Sequence, residues 1–523
     1  MSVLTKLVGN LFRARRNGAD DASLAQGGAE VANTHATCEE LLQRAGDAAQ
    51  RGRLEAALGL YRACLQAHPR SLDACLGAAG VLVDLWSNEE AVTVYEKARE
   101  IAPASGQIYS ALLFHRHYLS PVDPARLFEL HRAYGTMMHK AWPRPAAANY
   151  PQLPDPERRL RIGYVSPNLS RHSVGYFIEP VIRGHDRRHF EVFCYYNHAL
   201  SDDATRRMRE AADGWRDIAG SDDDAVARMV REDGIDILVD LAGHSKGNRL
   251  GVFARGAAPV QITWLGYPDT TGLAAIDFRI TDESADPAPA AEQHHTENLL
   301  RVGGSFLCYQ PPADAPAPRP REAGMPVVFS SFNNIAKVNA ETLRMWGRIL
   351  AGMPGSRLVL KSSALQFPDT VDRVTEALEC NGVEPARVDL RGWIGERGQH
   401  LDAYGAIDIA LDTFPYNGTT TTCEALWMGV PVITLAGPVH MSRVGASILR
   451  CAGLDELVAY DDAQYVNIAI GLARDAARRQ TLRTALRTRV AASPLLDHAG
   501  FIGRLEAHCR HAWRAWCGRR PMT

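Results

Sequence analysis

From about residue 158 onward, short apolar runs alternate with longer segments of helical periodicity. The apolar runs predict strands at residues 160–165, 190–196, 235–241, 260–265 and 278–281, and again at residues 327–332, 358–361, 388–390, 407–411 and 432–435. Runs that stay apolar over this length are typical of parallel strands buried on both faces. The pattern predicts two doubly wound α/β lobes separated by the prolines between residues 311 and 320, with a ligand site in the cleft between them.

A repeat with a period of 34 residues precedes the lobes. The shift pairs Leu42 with Leu76, Ala45 with Ala79, Gly46 with Gly80, Glu55 with Glu89, Ala57 with Ala91, Tyr61 with Tyr95 and Pro69 with Pro103. These are the small, aromatic and terminal-proline positions of tetratricopeptide repeats, whose paired helices need small residues where they approach closely. A degenerate third unit, from Ile108 through a helix start at Asp123-Pro124 to His139, is expected to cap the array. An unrelated helical bundle with a chance period is the weaker interpretation.

The chain therefore divides into five predicted segments: an N-terminal tail and linker (1–37), tetratricopeptide-like helical repeats (38–142), a first lobe (158–310), a second lobe (321–492) and C-terminal helices (493–523). The tail begins with an amphipathic run, Val3, Leu4, Leu7, Val8 and Leu11. A run of this length favours a short helix or a frayed end over a membrane-surface contact.

Composition narrows the classes of partner and compartment. Lys and Arg total 58 against 60 Asp and Glu, so no global positive field favours nucleic acid. The 10 cysteines include no C-x-x-C pair, which predicts reduced thiols in the cytoplasm rather than a zinc site or a disulfide framework. No apolar stretch approaches the length of a membrane span, and no cleavable leader is recognisable. We expect a protein that is neither secreted nor membrane-spanning.

Familiar cofactor motifs are missing from the sequence. It lacks a G-x-G-x-x-G after a strand, a G-x-x-x-x-G-K-[ST] loop and an H-E-x-x-H helix, so dehydrogenases, P-loop NTPases and zinc proteases lose their main support. Asp222-Asp223-Asp224 contains a formal D-x-D, but without another metal ligand nearby it is better interpreted as a solvated loop. We expect no metal.

The strongest local feature spans residues 411–424. It follows a predicted strand, turns at Asn417-Gly418 and enters a helix through four hydroxyl residues, Thr419, Thr420, Thr421 and Thr422. Free N–H groups at a helix N-terminus, joined by hydroxyls, suit a pyrophosphate. Glu424, a turn further on, is placed to accept the hydroxyls of a ribose. A plain N-cap is the alternative, but four consecutive threonines exceed what capping needs.

Charged and titratable residues follow several predicted strands. Lys337 comes after strand 327–332 and the pair Asn333-Asn334, where its ammonium can neutralise a leaving diphosphate; a solvated surface lysine is the alternative. His172 follows the first strand of the opposite lobe, where it can orient or deprotonate an acceptor hydroxyl. His400 is a candidate for stacking on a base or for covering its own helix. His244, after another first-lobe strand, is a weaker candidate of the same kind as His172.

These motifs occur together and in order. The repeats, residues 161–166 (RIGYVS), residues 264–268 (WLGYP), the Lys337 segment and the threonine-rich loop resemble the O-linked N-acetylglucosamine transferases and their SPINDLY relatives, over about residues 38–516. The resemblance implies an inverting glycosyltransferase of the GT-B fold that needs neither metal nor cofactor. It also implies transfer of a sugar from a nucleotide diphosphate to Ser or Thr hydroxyls of proteins, with the acceptor bound by the repeats and the cleft.

Individual site residues carry over from that resemblance. Lys337 falls on the lysine that stabilises the leaving diphosphate, and His172 on the active-site histidine beside acceptor and sugar. The implied donor-binding residues are Asn334, His400, Asn417, Gly418, Thr419, Thr420, Thr421 and Glu424. Further candidates for a sugar or acceptor pocket are His244, Tyr267, Pro268 and Tyr416. The resemblance leaves open whether a protein base or the donor phosphate takes the acceptor proton.

The threonine-rich loop departs from the animal enzymes at two positions that bear on the donor. Those enzymes have a histidine at the position of Thr419 and a cysteine at Tyr416, whereas this loop is similar to the SPINDLY branch, which uses GDP-fucose in plants. UDP-N-acetylglucosamine is the expected donor and GDP-fucose the alternative. A repeat-based interaction protein with an inactive transferase module, and a transferase acting on a glycan or small molecule, are further alternatives. The intact phosphate-loop residues favour an enzyme.

Overall fold

The structure, a computed structural model, describes residues 37–143, 150–322, 324–395 and 397–519. The predicted amphipathic run of the tail lies outside these residues. The fold is the expected one, a helical N-terminal region followed by two Rossmann-like lobes.

Residues 37–143 form three consecutive helix pairs. The helices are α1 Cys38–Gln50, α2 Leu54–Ala67, α3 Leu72–Asp84, α4 Asn88–Ile101, α5 Gly106–Arg116 and α6 Pro124–Ala141. Ala45 and Ala57 of the first pair, like Ala79 and Ala91 of the second, are fully buried, which explains the small residues of the repeat. The third pair begins α6 at the predicted position, where the Asp123 side chain accepts a hydrogen bond from the Arg126 N–H at 3.0 Å.

Residues 150–322 build the first lobe around a parallel sheet of seven strands in the order β3-β2-β1-β4-β5-β6-β7. The strands are β1 Leu160–Ser166, β2 Phe190–Tyr196, β3 Gly214–Asp217, β4 Ile237–Asp240, β5 Val260–Thr263, β6 Phe278–Thr281 and β7 Asn298–Arg301. The helices are α7 Gly175–Gly184, α8 Asp203–Ala211, α9 Asp223–Glu232 and α10 Leu250–Ala254.

The second lobe, in the described ranges 324–395 and 397–519, has six parallel strands in the order β10-β9-β8-β11-β12-β13. They are β8 Val328–Ser331, β9 Arg357–Lys361, β10 Val388–Arg391, β11 Ile409–Leu411, β12 Val432–Leu435 and β13 Val458–Ala459. The helices are α11 Ala340–Gly352, α12 Pro368–Cys380, α13 Arg397–Asp402, α14 Thr420–Trp427, α15 Val444–Cys451, α16 Asp462–Arg474, α17 Ala476–Ala491 and α18 His498–Gly518.

The apolar pattern located the inner strands and missed strands at the sheet edges. All the predicted strands are present in the described residues, but β3, β7 and β13 were not predicted. All three end a sheet. The strands β3 (GWRD) and β7 (NLLR) carry polar side chains because their outer sides are not covered, and β13 has only two residues. A search for continuous apolar runs does not find such strands.

Helix α18 returns to the first lobe as a single helix, where the sequence allowed one or two. Its Phe501 ring stacks on Trp264 with centroids 5.6 Å apart, and its Trp513 Nε1 donates a hydrogen bond to the Asp155 carbonyl at 2.9 Å. The end of the chain therefore ties the second lobe to the first.

The helical region also packs closely on the first lobe. At Gly135 of α6 an added Cβ would lie 1.7 Å from the Gly272 carbonyl oxygen, and at Gly272, whose φ is +74°, it would lie 2.0 Å from the His131 carbonyl oxygen. Only glycine permits this approach of helix to loop. The repeats and the lobe therefore share a buried contact.

One expectation about the cysteines is wrong. Cys38 of α1 and Cys64 of α2 form a disulfide, with Cα atoms 5.4 Å apart, whereas the sequence predicted reduced thiols throughout. The spacing of 26 residues carried no sign of this pairing, because only the packing of α1 on α2 brings the two residues together. Within the described ranges, every helix is too short or too polar to cross a bilayer. The cytoplasmic location stays a prediction.

Candidate functional site

The site lies where the strand order of each sheet reverses direction. In the second lobe this point is between β8 and β11, and in the first lobe between β1 and β4. The loops that leave two such strands diverge and open a crevice at their carboxyl ends. The loops after β8 and β11 carry Lys337 and the threonine-rich segment, and the loop after β1 carries His172.

A buried carboxylate organises the second-lobe crevice. Asp412 accepts hydrogen bonds from the N–H groups of Gly418 (2.6 Å) and Thr413 (2.9 Å), and from side-chain donors of Asn333 (3.0 Å) and Thr434 (2.8 Å). Burial raises the pKa of Asp412 to about 6, against the effect of these hydrogen bonds and of Lys337. Asp412 was not singled out from the sequence, although it directly follows a predicted strand.

Lys337 lies at the end of a short 3₁₀ turn, Ile335–Lys337, after β8. Its Nζ donates a hydrogen bond to the Asn417 carbonyl at 2.9 Å and lies 3.8 Å from the centroid of the Tyr416 ring. Burial lowers the pKa of Lys337 to about 8, with Asp412 acting in the opposite direction. The predicted residues Lys337, Tyr416 and Asn417 are therefore neighbours. Asn334, also predicted, is exposed and caps this turn through the Ala336 N–H.

The threonine-rich segment forms the N-terminus of α14. Thr419 is the N-cap residue and makes no side-chain capping bond, and Thr420 and Thr421 follow in the first turn. A Cβ on Gly418 would lie 2.5 Å from the Thr421 Oγ1 and 2.6 Å from the Asn333 Oδ1, so only glycine fits there. The first turn of a helix presents N–H groups without helical partners, which suit an anion.

Two predicted nucleoside residues contact each other about one turn further along this helix. His400 Nε2 lies 2.9 Å from Glu424 Oε2, and Glu424 is buried. The His400 ring centroid is 6.0 Å from that of Phe332.

The sequence did not single out Lys361, whose Nζ lies 5.3 Å from the Phe332 centroid. Burial lowers the pKa of Lys361, and Glu424 opposes that shift. The sequence offered one indication of Lys361, which is the last residue of a predicted strand.

The first-lobe side of the cleft carries the predicted residue His172. His172 is exposed at the start of the loop into α7, and its Nδ1 accepts a hydrogen bond from the Val174 N–H at 3.2 Å. Desolvation by the surrounding loop, with a smaller effect of His198, lowers the pKa of His172 to about 4 although the side chain reaches the surface. Four residues on, the Tyr176 ring is covered by the Arg397 guanidinium of α13 at 3.8 Å, so this end of α7 faces the second lobe.

Other predicted pocket residues lie in the contact between the helical region and the first lobe. The His244 ring nitrogens are 2.9 Å from the Ser110 Oγ and 2.9 Å from the Thr271 carbonyl oxygen. The Tyr267 hydroxyl is 2.8 Å from His131 Nε2, and Pro268 is also buried. Tyr267 is close to the second-lobe crevice, because the His117 ring contacts both Tyr267 and Tyr416, with centroids 5.1 Å and 6.3 Å away. Their role in a sugar or acceptor pocket stays a prediction.

The same contact contains three side chains that could hold a metal ion. In the described part of the chain, the ligand atoms of His117, His131 and Asp269 lie within 4.8 Å of one another. His117 Nε2 is 3.1 Å from Asp269 Oδ2, while His131 Nε2 faces the Tyr267 hydroxyl. His117 and Asp269 bond each other within this group, and the His117 ring also contacts Tyr416, with centroids 6.3 Å apart. The expected independence of metals and cofactors stays a prediction.

Comparison with known proteins agrees with this arrangement. The model of glycosyl transferase family 41 matches residues 136–309 and 320–505. The chain is 43% identical over 424 residues to a tomato (Solanum lycopersicum) protein named "Probable UDP-N-acetylglucosamine--peptide N-acetylglucosaminyltransferase SPINDLY", covering 80% of this chain and 45% of the relative. It is 42% identical over 427 residues to the Arabidopsis thaliana protein of that name, covering 80% and 46%. The chain thus spans about half the length of the curated relatives it matches.

A solved structure is similar over almost the whole chain. It is that of a mutant O-GlcNAc transferase from Thermobaculum terrenum, with a TM-score of 0.86 and 38% sequence identity. The match covers 92% of this chain and 91% of that one, so it includes the helical region as well as both lobes.

Proposed function

The chain belongs to glycosyl transferase family 41, and from that premise we propose that it transfers N-acetylglucosamine from UDP-N-acetylglucosamine to Ser or Thr hydroxyls of proteins. The observation that carries the proposal is the single crevice in which Lys337, the first turn of α14 and the His400–Glu424 pair meet. The names of the relatives support the choice of donor and acceptor.

The donor diphosphate is proposed to lie at the first turn of α14. Thr420 and Thr421 offer hydroxyls and N–H groups there, and the Lys337 ammonium is close by at Asn417. A cation and oriented N–H groups in a partly desolvated site stabilise negative charge more strongly than in water. The ribose and base extend toward Glu424 and His400, where a carboxylate and an aromatic ring are available.

Transfer is proposed as a single displacement with inversion. The acceptor oxygen forms a bond to the anomeric carbon as the bond from that carbon to the phosphate oxygen breaks, and both electrons leave with UDP. Lys337 neutralises the charge that develops on the leaving diphosphate. His172, with its pKa lowered to about 4, is neutral at pH 7 and a weak base. Because its Nδ1 accepts the Val174 N–H, its Nε2 carries the proton, and we assign it the role of orienting the acceptor by donating a hydrogen bond to the hydroxyl oxygen; the acceptor proton goes to the donor phosphate or to another base.

Calorimetric titration tests the donor site. The purified chain, Lys337→Ala and Glu424→Ala are titrated separately with UDP and with GDP, and Lys140→Ala, an exposed lysine of α6, serves as the matched control. The proposal expects UDP to bind more tightly than GDP, with weaker binding in both site variants and unchanged binding in the control. Preference for GDP would move the assignment to a fucose donor. Binding of neither nucleotide would reject a transferase.

A further inference from the structure

The helical region contacts the second lobe at the turn that carries Lys337. Trp86 Nε1 donates a hydrogen bond to the Val338 carbonyl at 2.7 Å, and Asn88 Nδ2 donates one to the Ala336 carbonyl at 2.8 Å. These two carbonyls belong to the residues immediately before and after Lys337. The backbone on both sides of the lysine is therefore bound by side chains from the second helix pair.

Both donors are themselves held firmly. Asn88 is the first residue of α4 and is only 4% exposed. Trp86 lies in the turn between α3 and α4 with a φ of +61°, a conformation that large side chains rarely adopt. The turn is closed by a hydrogen bond from the Ser87 N–H to the Leu82 carbonyl at 2.8 Å. An unfavourable backbone conformation at Trp86 persists because its surroundings hold it, and it aims the indole N–H at the lysine turn.

The third helix pair contacts the aromatic ring beside the lysine. Tyr118, directly after α5, is buried and stacks on Tyr416 with ring centroids 5.7 Å apart and planes at 21°. Tyr416 is the ring over which the Lys337 Nζ lies. The helical region thus contacts both the backbone of the lysine turn and the ring that flanks the ammonium.

Within the second lobe the backbone of the lysine turn is held through its N–H groups, whereas the donors from the helical region bind its carbonyls. The Lys337 N–H donates to the Asn334 carbonyl at 2.9 Å, and the Ile335 N–H donates to the Ser362 Oγ at 3.0 Å. Without Trp86 and Asn88, the carbonyls that flank Lys337 lose the donors that fix them. A displacement of about 1 Å in a charge-stabilising group is enough to cost a large factor in rate.

We propose that Trp86 and Asn88 are positioning residues for Lys337, and that Tyr118 supports them through Tyr416, so that the repeats complete the donor site in addition to any role in binding acceptors. This inference rests on the proposed function of Lys337 as the group that binds the diphosphate. It assigns the second and third helix pairs a part in binding the nucleotide.

A double-mutant cycle with UDP as the probe tests the coupling. Trp86→Phe combined with Asn88→Leu removes both donors while keeping side chains of similar size, and it is examined by calorimetry with Lys337 intact and in a Lys337→Met background. We expect UDP affinity to fall about five- to tenfold when Lys337 is present and to change little when it is absent. Tyr118→Leu should behave in the same way, and Tyr118→Phe, which keeps the ring, should bind UDP like the unmodified chain.

Asp369→Ala is the matched control for this interface. It removes the carboxylate of α12 that accepts a hydrogen bond from the Glu55 N–H at 3.0 Å, and it leaves Trp86, Asn88 and Tyr118 in place. This variant should bind UDP normally. Equal thermal midpoints for all variants exclude simple unfolding of the interface.

A second readout does not depend on the nucleotide. The pH dependence of amine labelling at Lys337, followed by mass spectrometry, reports its pKa, which burial lowers to about 8. In the Trp86→Phe/Asn88→Leu variant we expect this pKa to rise toward the ordinary lysine value as the side chain gains solvent.

The outcomes separate this inference from the proposed function. UDP binding that is unaffected by the variants, or reduced equally with and without Lys337, together with an unchanged pKa, rejects the positioning role and leaves the donor site standing. Absence of UDP and GDP binding in the unmodified chain rejects the transferase, and with it the positioning role as stated.

Discussion

The two walls of the cleft are built differently. In the second lobe, Asp412 accepts hydrogen bonds from four donors, and Lys337 contacts Asn417 and Tyr416. The helical region donates two further hydrogen bonds to the backbone beside Lys337. In the first lobe, His172 is exposed and its ring makes a hydrogen bond only within its own loop, as far as the described residues go. Charge stabilisation needs groups that are fixed before the ligand arrives, and the second-lobe wall provides such groups.

Buried contacts hold the two lobes together close to Asn417, whose N–H donates to the Met441 carbonyl at 3.0 Å. His440 Nδ1 lies 2.7 Å from Asp286 Oδ2, and the Ser447 Oγ donates to Asp282 Oδ2 at 2.6 Å. In each pair the carboxylate belongs to the first lobe and its partner to the second. Buried hydrogen bonds to first-lobe carboxylates therefore join the two lobes.

The largest expected effect is that of Lys337→Ala on transfer. Loss of the ammonium leaves the charge on the departing diphosphate without its cation, and we expect the rate to fall about 10²- to 10³-fold. The initial rate of sugar transfer at saturating donor measures it, and Lys140→Ala should retain full activity. Near-normal transfer by Lys337→Ala would show that the Lys337 ammonium does not neutralise the departing diphosphate.

His172→Ala tests the contribution of the first-lobe wall. Because this histidine is proposed to orient the acceptor, we expect transfer to fall about 10²-fold while UDP affinity stays the same. Parallel rate and calorimetric measurements on one preparation check both parts. A loss of UDP affinity comparable with that of Lys337→Ala would mean that the lobes do not divide the substrates between them.

Asp412→Asn tests whether the second wall depends on its buried carboxylate. The amide cannot accept all the hydrogen bonds of the carboxylate, so we expect the free energy of unfolding to fall by about 1–3 kcal/mol. UDP affinity should fall less, because the amide oxygen can keep the hydrogen bonds of Gly418, Thr413 and Asn333 at Oδ1, while Thr434 loses its acceptor at Oδ2. Denaturant unfolding measures the first effect, with Asp455→Asn at an exposed position as the control. Unchanged stability would make the carboxylate dispensable.

The smallest expected effect is on the pH dependence of nucleotide binding. The pKa of Lys337 is lowered to about 8, so its ammonium is present below that pH and is lost as the pH rises through it. UDP affinity should therefore be greatest below pH 8 and decline above it, by a few-fold up to about tenfold per pH unit. Calorimetry across this range checks the decline. The Lys337→Met variant should show none; a decline that persists in that variant would assign it to another group.

Much of the fold and part of the site follow from local sequence. The inner strands β1, β2, β6 and β12 occupy their predicted positions because burial on both faces leaves a continuous apolar run. The threonine-rich segment enters a helix where expected, since its turn and hydroxyl residues are consecutive. Edge strands such as β3 and the Cys38–Cys64 disulfide were missed because neither leaves a pattern among neighbouring residues.

The sequence alone determined the elements, their order, and the residue types at the strand ends that carry chemistry, because periodicity and turn chemistry act over a few neighbouring residues. Only the tertiary structure decided that Asp412 binds Asn333 of the neighbouring loop and that His400 contacts Glu424. It also decided that Trp86 and Asn88 bind the backbone beside Lys337, about 250 positions away in the sequence. Such hydrogen bonds depend on the packing of whole helices and sheets against each other, which no short stretch of sequence encodes.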